Sequence, residues 1–502
     1  MATAQVLHAR GLLRGLVLFL LIAASPASAV AAIRYVSTTG IDAANDCVDS
    51  GAPCATLQHA VYSADDLDEV RVAAGSYTGS ATVTVTRASN EYDYRQVLFI
   101  GKPLSVRGGY LETDWNTSDP QTNATAIDAD GDGRPVSVVD TGDGVVTLAG
   151  FTLTGGDSTG LGNPPETSNH VCRSGAEQDC GGGLYVYNSA LVLEACEVSD
   201  NVASTVAGDG GGIYLWRARA TTLADVLVRQ NQAPYSGGGL HAEVQNHPLA
   251  IADAEFIENT ADRGGGVSLG TNIENPVTIT RSTLSGNSAT GVYGGGGALY
   301  ARLTTNGDVL ALDQVVISDN TAWGRGKALL IESAGPVTPY ARLTNILLSD
   351  NGPVPGAPAS DEDAVVALGP GFTHLEIDLA HVTAAGNAVD TFMYVEPYAF
   401  GDTPRTINVR AVNTLLSGFV TGFIAREAGD GEASVTHTRT LFHEVTNPHL
   451  TLDGTPEFIA IEPLSGDPML DVDSRLQAGS AALDQGIDAG VALDLDGDHR
   501  PQ

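Results

Sequence analysis

Lysine is nearly missing from this chain. Lys102 and Lys327 are the two present in 502 residues, so the 25 basic side chains are otherwise arginine, set against 60 acidic ones. The resulting formal charge of −35 repels phosphate backbones, which excludes nucleic acid as a natural partner. Aromatic residues make up only 6% of the chain, so any local cluster of rings stands out. Long apolar runs are also absent. The longest near the start, Leu16 to Ala24, has nine residues, whereas a bilayer span needs about 20. Arg10 and Arg14 precede that run, and Pro26 and Ala27-Ser28-Ala29 follow it. Together they read as a secretory signal peptide over residues 1–29. The remainder is therefore expected to be secreted, or held at the cell surface in association with an outer membrane.

Cysteines are few, five in all, and they fit an exported protein. Cys47 and Cys54 bracket one short polar loop, and Cys172 and Cys180 bracket another; each pair reads as a local disulfide. Cys196 alternates with Leu191, Leu193 and Val198, which marks it as a buried, inert thiol. No cysteine pair has zinc-ligand spacing with histidines. At 43% hydrophobic residues the chain can build a core, and its 59 glycines lack the strict period of collagen.

Length alone suggests about three domains of roughly 150 residues, but internal repetition overrides that prior. Asparagines recur at 201, 231, 259, 287, 320 and 351, at a mean spacing of 30 residues. Between them runs a second marker: GGGLY, GGGIY, GGGLH, GGGVS, GGALY and a degraded GKALL. Its third positions are Gly183, Gly212, Gly239, Gly266, Ala298 and Ala328. One place on stand Leu184, Ile213, Leu240, Val267, Leu299 and Leu329. Eight places before each asparagine stand Leu193, Leu223, Ile251, Ile279, Leu312 and Leu343. Three places before it stand Val198, Val228, Phe256, Leu284, Ile317 and Leu348. Neighbouring columns alternate with period 2, so the elements are short strands, and helical repeats are excluded.

Short strands returning every 30 residues or so describe an all-β parallel β-helix, in which equivalent positions stack about 4.8 Å apart. A β-sandwich or propeller would give less regular columns or a longer period. The asparagines would form a ladder at a turn and tolerate the left-handed region there. The glycines would mark a corner where a Cβ does not fit. Leu57, Ala60, Val61 and Ala64 share one helical face, which predicts a capping helix over the first coil. We expect an N-terminal cap and first coil over 30–80, a β-helix over 81–445 and an irregular C-terminal cap over 446–502. About 14 coils would make a rod roughly 70 Å long.

The segment CATLQHAVYSADDLDEVRVAAGSYTG resembles the opening of secreted bacterial right-handed parallel β-helix proteins of the pectate-lyase-like superfamily. The GGG-apolar and FIEN repeats resemble those of polymorphic outer membrane proteins. The tail SAALDQGIDAGVALDLDGDHRPQ resembles the end of surface-anchored β-helix proteins that carry a sorting signal further on. The resemblance implies a right-handed, single-stranded solenoid. It does not imply one activity, since such folds host lyases, hydrolases, adhesins and scaffolds. The chain departs from polygalacturonases in lacking GHG, and its single R-x-K, Arg325-Gly326-Lys327, falls on the glycine corner.

The same alignment gives an outward column beside the inward ones: Tyr185, Tyr214, His241, Ser268 and Tyr300, flanked by Tyr187, Trp216, Glu243, Gly270 and Arg302. Rings stacked on a rigid sheet suit sugar faces, with charged groups for hydroxyls or acids. Cross-coil aromatic ladders also stabilise sheets without any ligand. His241 and Glu243 lie two apart on one strand face, the spacing of an acid–base pair, although a second carboxylate is missing from the next coil at Gly270. Asp128, Asp130, Asp132 and Gly133 match the first half of a calcium loop, but Val139 stands where the bidentate glutamate belongs. Asp494, Asp496 and Asp498 form a similar triplet. The expectation is a monomeric scaffold or adhesin-like protein that binds polysaccharide or another surface, needs no cofactor, and has calcium as its one candidate ion. A polysaccharide lyase or glycoside hydrolase working in a groove is the alternative.

Overall fold

The structure is a computed structural model that describes residues 31–87, 90–161, 179–243, 247–270, 276–334, 337–360, 362–369, 374–397, 405–427 and 430–500. The expected signal peptide and Cys172 lie outside the described residues. The chain is a parallel β-helix. Its strands join around the bends into one network of 31 among the described residues, with a separate four-stranded ladder beside it.

Three ladders run the length of the molecule. The first continues from 184–187 through Ile213–Trp216, Leu240–Glu243, Val267–Leu269, Leu299–Leu303 and Leu329–Ser333, all parallel. Leu184, Ile213, Leu240, Val267, Leu299 and Leu329 are successive partners in it, as the repeat requires. The second ladder stacks Leu193, Leu223, Ile251, Ile279, Leu312 and Leu343. The third stacks Val198, Val228, Phe256, Leu284, Ile317 and Leu348. These columns fill one continuous buried core. A slip of one residue would turn every one of them to solvent, so burial fixes the register.

The asparagines form the predicted ladder. Asn201 Nδ2 donates to Asn231 Oδ1 at 3.0 Å, and Asn231 Nδ2 to Asn259 Oδ1 at 3.0 Å. The same rung spacing continues through Asn287, Asn320, Asn351 and Asn387. Their backbone differs from expectation. The left-handed conformation falls on the residue before each asparagine, as at Gln230 (φ 56°) and Glu258 (φ 55°). That turn aims the carboxamide into the core, where hydrogen bonding is its task. The two repeat markers turn out to be one device. A Cβ on Gly212 would lie 2.9 Å from Asn231 Nδ2 and 2.7 Å from the Gly239 carbonyl oxygen.

The ends are built differently. The helix Leu57–Ser63 forms where predicted, with Thr56 capping it by accepting the His59 amide and with Leu57, Ala60 and Val61 buried. The Cys47–Cys54 disulfide also forms. Its loop has a structural use, because the Cys47 carbonyl accepts from Tyr35 N at 2.8 Å and Cys54 N donates to Tyr35 O at 2.9 Å. The loop thereby occupies the free edge of the first strand, Ile33–Val36. At the other end the stack continues past residue 445, through Asn447–Asp453 and Glu457–Ile461. The irregular C-terminal segment then runs back along the flank of the solenoid. Leu464 bridges to Leu441, Asn413 Nδ2 donates to the Ile487 carbonyl at 2.8 Å, and Asn345 Nδ2 donates to the Leu493 carbonyl at 3.0 Å.

Candidate functional site

The outward column forms in the expected register. Tyr185 pairs with Tyr214, Tyr214 with His241, His241 with Ser268 and Ser268 with Tyr300. Tyr187 pairs with Trp216, and Trp216 with Glu243. Its rings stack: Tyr185 and Tyr214 have centroids 5.8 Å apart at 21°, and Tyr214 and His241 5.5 Å apart at 10°. This is the geometry of an aromatic ladder.

Exposure departs from the sequence reading. Tyr185 and Tyr214 are wholly buried, and His241, Glu243 and Tyr300 are buried as well. Tyr185 and Tyr214 are covered by an antiparallel hairpin, Ala81–Arg87 with Asn90–Ile100, that leaves the solenoid path, whereas Tyr300 packs separately with Leu330 and Ala367. Tyr94 on that hairpin is buried with its ring 5.8 Å from Tyr185, and Val83 and Val85 pack against the same cluster as Tyr187 and Trp216. Arg134 closes the group from another side. Its guanidinium sits 5.4 Å from the Tyr185 ring centroid while Nε donates to the Cys180 carbonyl at 2.9 Å. Cys180 is buried and disulfide-bonded, whereas Cys172 and most of the loop between them lie outside the described residues. The alternation ATVTVTR followed by NEYDYRQ is the hairpin signal in the sequence. Nothing in it says which face the hairpin covers.

Of the proposed ligand-binding residues, Tyr187, Trp216 and Arg302 remain half-exposed. Trp216 lies 6.3 Å from Tyr214 at 13°, and the Arg217 guanidinium sits 5.7 Å from its ring centroid. Tyr187 and Trp216 thus form a small platform whose inner side is braced by buried rings.

His241 and Glu243 do come together. His241 Nε2 lies 3.6 Å from Glu243 Oε1, and its Nδ1 is 3.1 Å from Ser268 Oγ. Gly270 makes room for this pair, because a Cβ there would lie 2.5 Å from Glu243 Cγ. Further along the same face Tyr300 donates to Glu332 Oε2 at 2.8 Å. Burial, and then the Glu332 charge, push the Tyr300 phenol upward. Beyond it stands an ionic cluster built around the R-x-K triplet. Arg325 Nη1 reaches Glu396 Oε2 at 2.8 Å and its Nε reaches Glu362, while Arg426 Nη1 lies 3.4 Å from Glu362 and 3.7 Å from Glu396. Lys327, fully buried, holds Asp363 at 2.7 Å and donates to the Gly324 carbonyl at 2.8 Å. The R-x-K triplet is thus bound up in ion pairs at the corner.

The acidic triplet does not gather as a ligand set. The Asp132 carboxylate pairs with Arg95, and Asp128 Oδ1 accepts the Asp130 amide at 2.9 Å. Among the described residues the one group of potential metal ligands within 4.8 Å is Cys47, Cys54 and His59, and its two sulfurs are joined to each other. Cys196 is buried as expected, and burial pushes its thiol up to about 12.

A cleft of about 840 Å³ lies between the C-terminal segment and the solenoid flank, lined by Asn345, His381, Asn413, Arg439, Arg475 and Arg500 among others. Asn345, His381, Asn413 and Arg439 are successive left-handed corner residues. Their distance in sequence from the tail hid this cleft.

No family model matches the chain, and no curated protein matches it. Among solved structures it is similar to that of pectate lyase Pel9A, with 10% identity over 80% of this chain and 78% of that one, at a TM-score of 0.38. It is also similar to a GH136 lacto-N-biosidase from Eubacterium ramulus, with 9% identity over 86% and 68% and a TM-score of 0.24.

Proposed function

We propose that this protein is an extracellular β-helix scaffold that holds polysaccharide against the Tyr187–Trp216 platform. The observation that carries the reading is the pairing of these two half-exposed rings in register on one outer face, with Tyr214 stacked behind Trp216. A ring braced in this way gives up little side-chain entropy when a sugar stacks on it. Arg302, half-exposed on the same face, supplies a cation for hydroxyls or acidic sugars. Tyr185, Tyr214 and His241 are buried, and in this reading they brace the platform. A glycan array probed with the protein tests the reading. Trp216→Ala and Tyr187→Ala are each expected to weaken the best signals by about tenfold, the loss of roughly 1.4 kcal/mol of stacking. Unchanged binding by both variants would overturn it.

One observation favours the catalytic alternative, the contact of His241 with Glu243, both of them buried. An assay against acidic and neutral polysaccharides, with and without calcium, separates the two. The scaffold reading expects no product, and product formation that disappears in Glu243→Gln would replace it with a lyase or hydrolase.

A further inference from the structure

We infer that the C-terminal end of the solenoid is a docking edge for an extended, basic polypeptide strand. The two ends of the stack are treated in opposite ways. The first strand has its outer edge bonded by the Cys47–Cys54 loop. The last strands, Asn447–Asp453 and Glu457–Ile461, pair on one side only among the described residues, with Thr421–Arg426 and Gly431–Thr438. A strand with one free row of N–H and C=O groups is a template for another strand.

The side chains show that the interior is open here. Phe458 and Ala460 sit over the inward-facing Val435 and His437, yet Phe458 is only half-buried and Ala460 is exposed. His449 stacks on Phe458 with centroids 4.8 Å apart at the rim, and His449 Nε2 lies 2.8 Å from His437 Nε2 beneath. Leu450, Ile459 and Ile461 are exposed on the outer faces. An additional rung would cover the inward pair and extend the outer ladder.

Charge selects the occupant. At several places along the solenoid a cation on one coil faces an anion on the next. Arg342, Asp378 and Arg410 are successive rungs, Asp253 meets Arg281 at 2.7 Å, and Glu197 meets Arg229 at 2.7 Å. At the last coil Asp453 lies over Arg426, and Glu462 meets Arg439 at 2.6 Å. Glu457 lies over Ser434. The outermost rung is therefore acidic, and the next position calls for lysine or arginine over these carboxylates, with apolar residues over Phe458 and Ala460. A second copy docking by the same end would set like charges opposite one another, which is unfavourable.

The experiment uses the full chain with a fluorescent peptide in which lysine and valine alternate. A peptide of identical composition with its lysines and valines in separate blocks serves as the control. The alternating peptide is expected to bind at least about tenfold more tightly than the block peptide, because only its pattern matches the pleat. Hydrogen exchange should slow on binding within 447–461 and nowhere else. Glu457→Lys alters the total charge by only a small part of −35, yet is expected to reduce binding of the alternating peptide by about tenfold through like-charge opposition. Equal binding of the two peptides, protection outside 447–461, or indifference to Glu457→Lys would reduce the effect to general attraction by a polyanion and overturn the proposal. Protection of 447–461 without peptide, together with a doubled mass in sedimentation, would assign the edge to self-association and overturn it as well.

Discussion

A single carboxamide in the asparagine ladder makes four hydrogen bonds. Asn259 Oδ1 accepts from Asn231 N at 3.1 Å and Asn231 Nδ2 at 3.0 Å, while its own Nδ2 donates to the Val228 carbonyl at 2.9 Å and to Asn287 Oδ1 at 3.0 Å. Asn259→Ala therefore strands buried donors and acceptors in the rungs on both sides. It is expected to cost about 3 kcal/mol in urea unfolding, and a cost below about 1 kcal/mol would remove the ladder from the account of stability. His381 makes a second residue-level prediction. Burial, and then the Arg500 charge, hold its pKa down at about 4 against an ordinary 6.5. His437 is likewise held at about 4 by burial and by His449. In both cases the folded state prefers the neutral ring, so the stability they contribute is complete above about pH 6.5 and is lost as pH falls toward 4. The urea midpoint should drop between pH 7 and pH 5, and His381→Asn should flatten part of that slope. A midpoint rising on acidification would contradict the assignment.

Elements differ in how much of them the sequence reveals. The ladder strands could be read because stacking returns the same residue type to the same place, as with Leu193, Leu223 and Ile251. The capping helix could be read from the single face of Leu57, Ala60 and Val61. The hairpin carrying Tyr94 and the C-terminal segment do not repeat, so their contacts left no column to find. Asn345 meets Leu493 across 148 positions and Gln314 meets Asp494 across 180. Because the hairpin leaves no column, the outward strip is legible in register but the burial of Tyr185 and Tyr214 is not. One of the ties of the tail is Asn413, which donates to the Ile487 carbonyl at 2.8 Å and accepts its amide at 2.9 Å. Asn413→Ala is expected to raise hydrogen exchange and proteolytic nicking in 484–496 while leaving the ladder strands protected. Loss of protection along the ladders would mean that the tail is part of the core.

For the molecule as a whole, each functional proposal depends on neighbouring coils lying over one another in the register described. The Tyr187–Trp216 platform, the His241–Glu243 contact and the acidic outer rung are all products of that stacking. Thr222 and Ala250 are direct partners on adjacent coils, and Ala252 is two places further along the same strand. Partners in adjacent strands lie about 5 Å apart, within reach of a disulfide, whereas a diagonal pair lies beyond about 7 Å. Mass spectrometry of oxidised double variants measures this directly. Thr222→Cys with Ala250→Cys is expected to cross-link, and Thr222→Cys with Ala252→Cys to stay reduced. Cross-linking of the second pair in preference to the first would contradict that register.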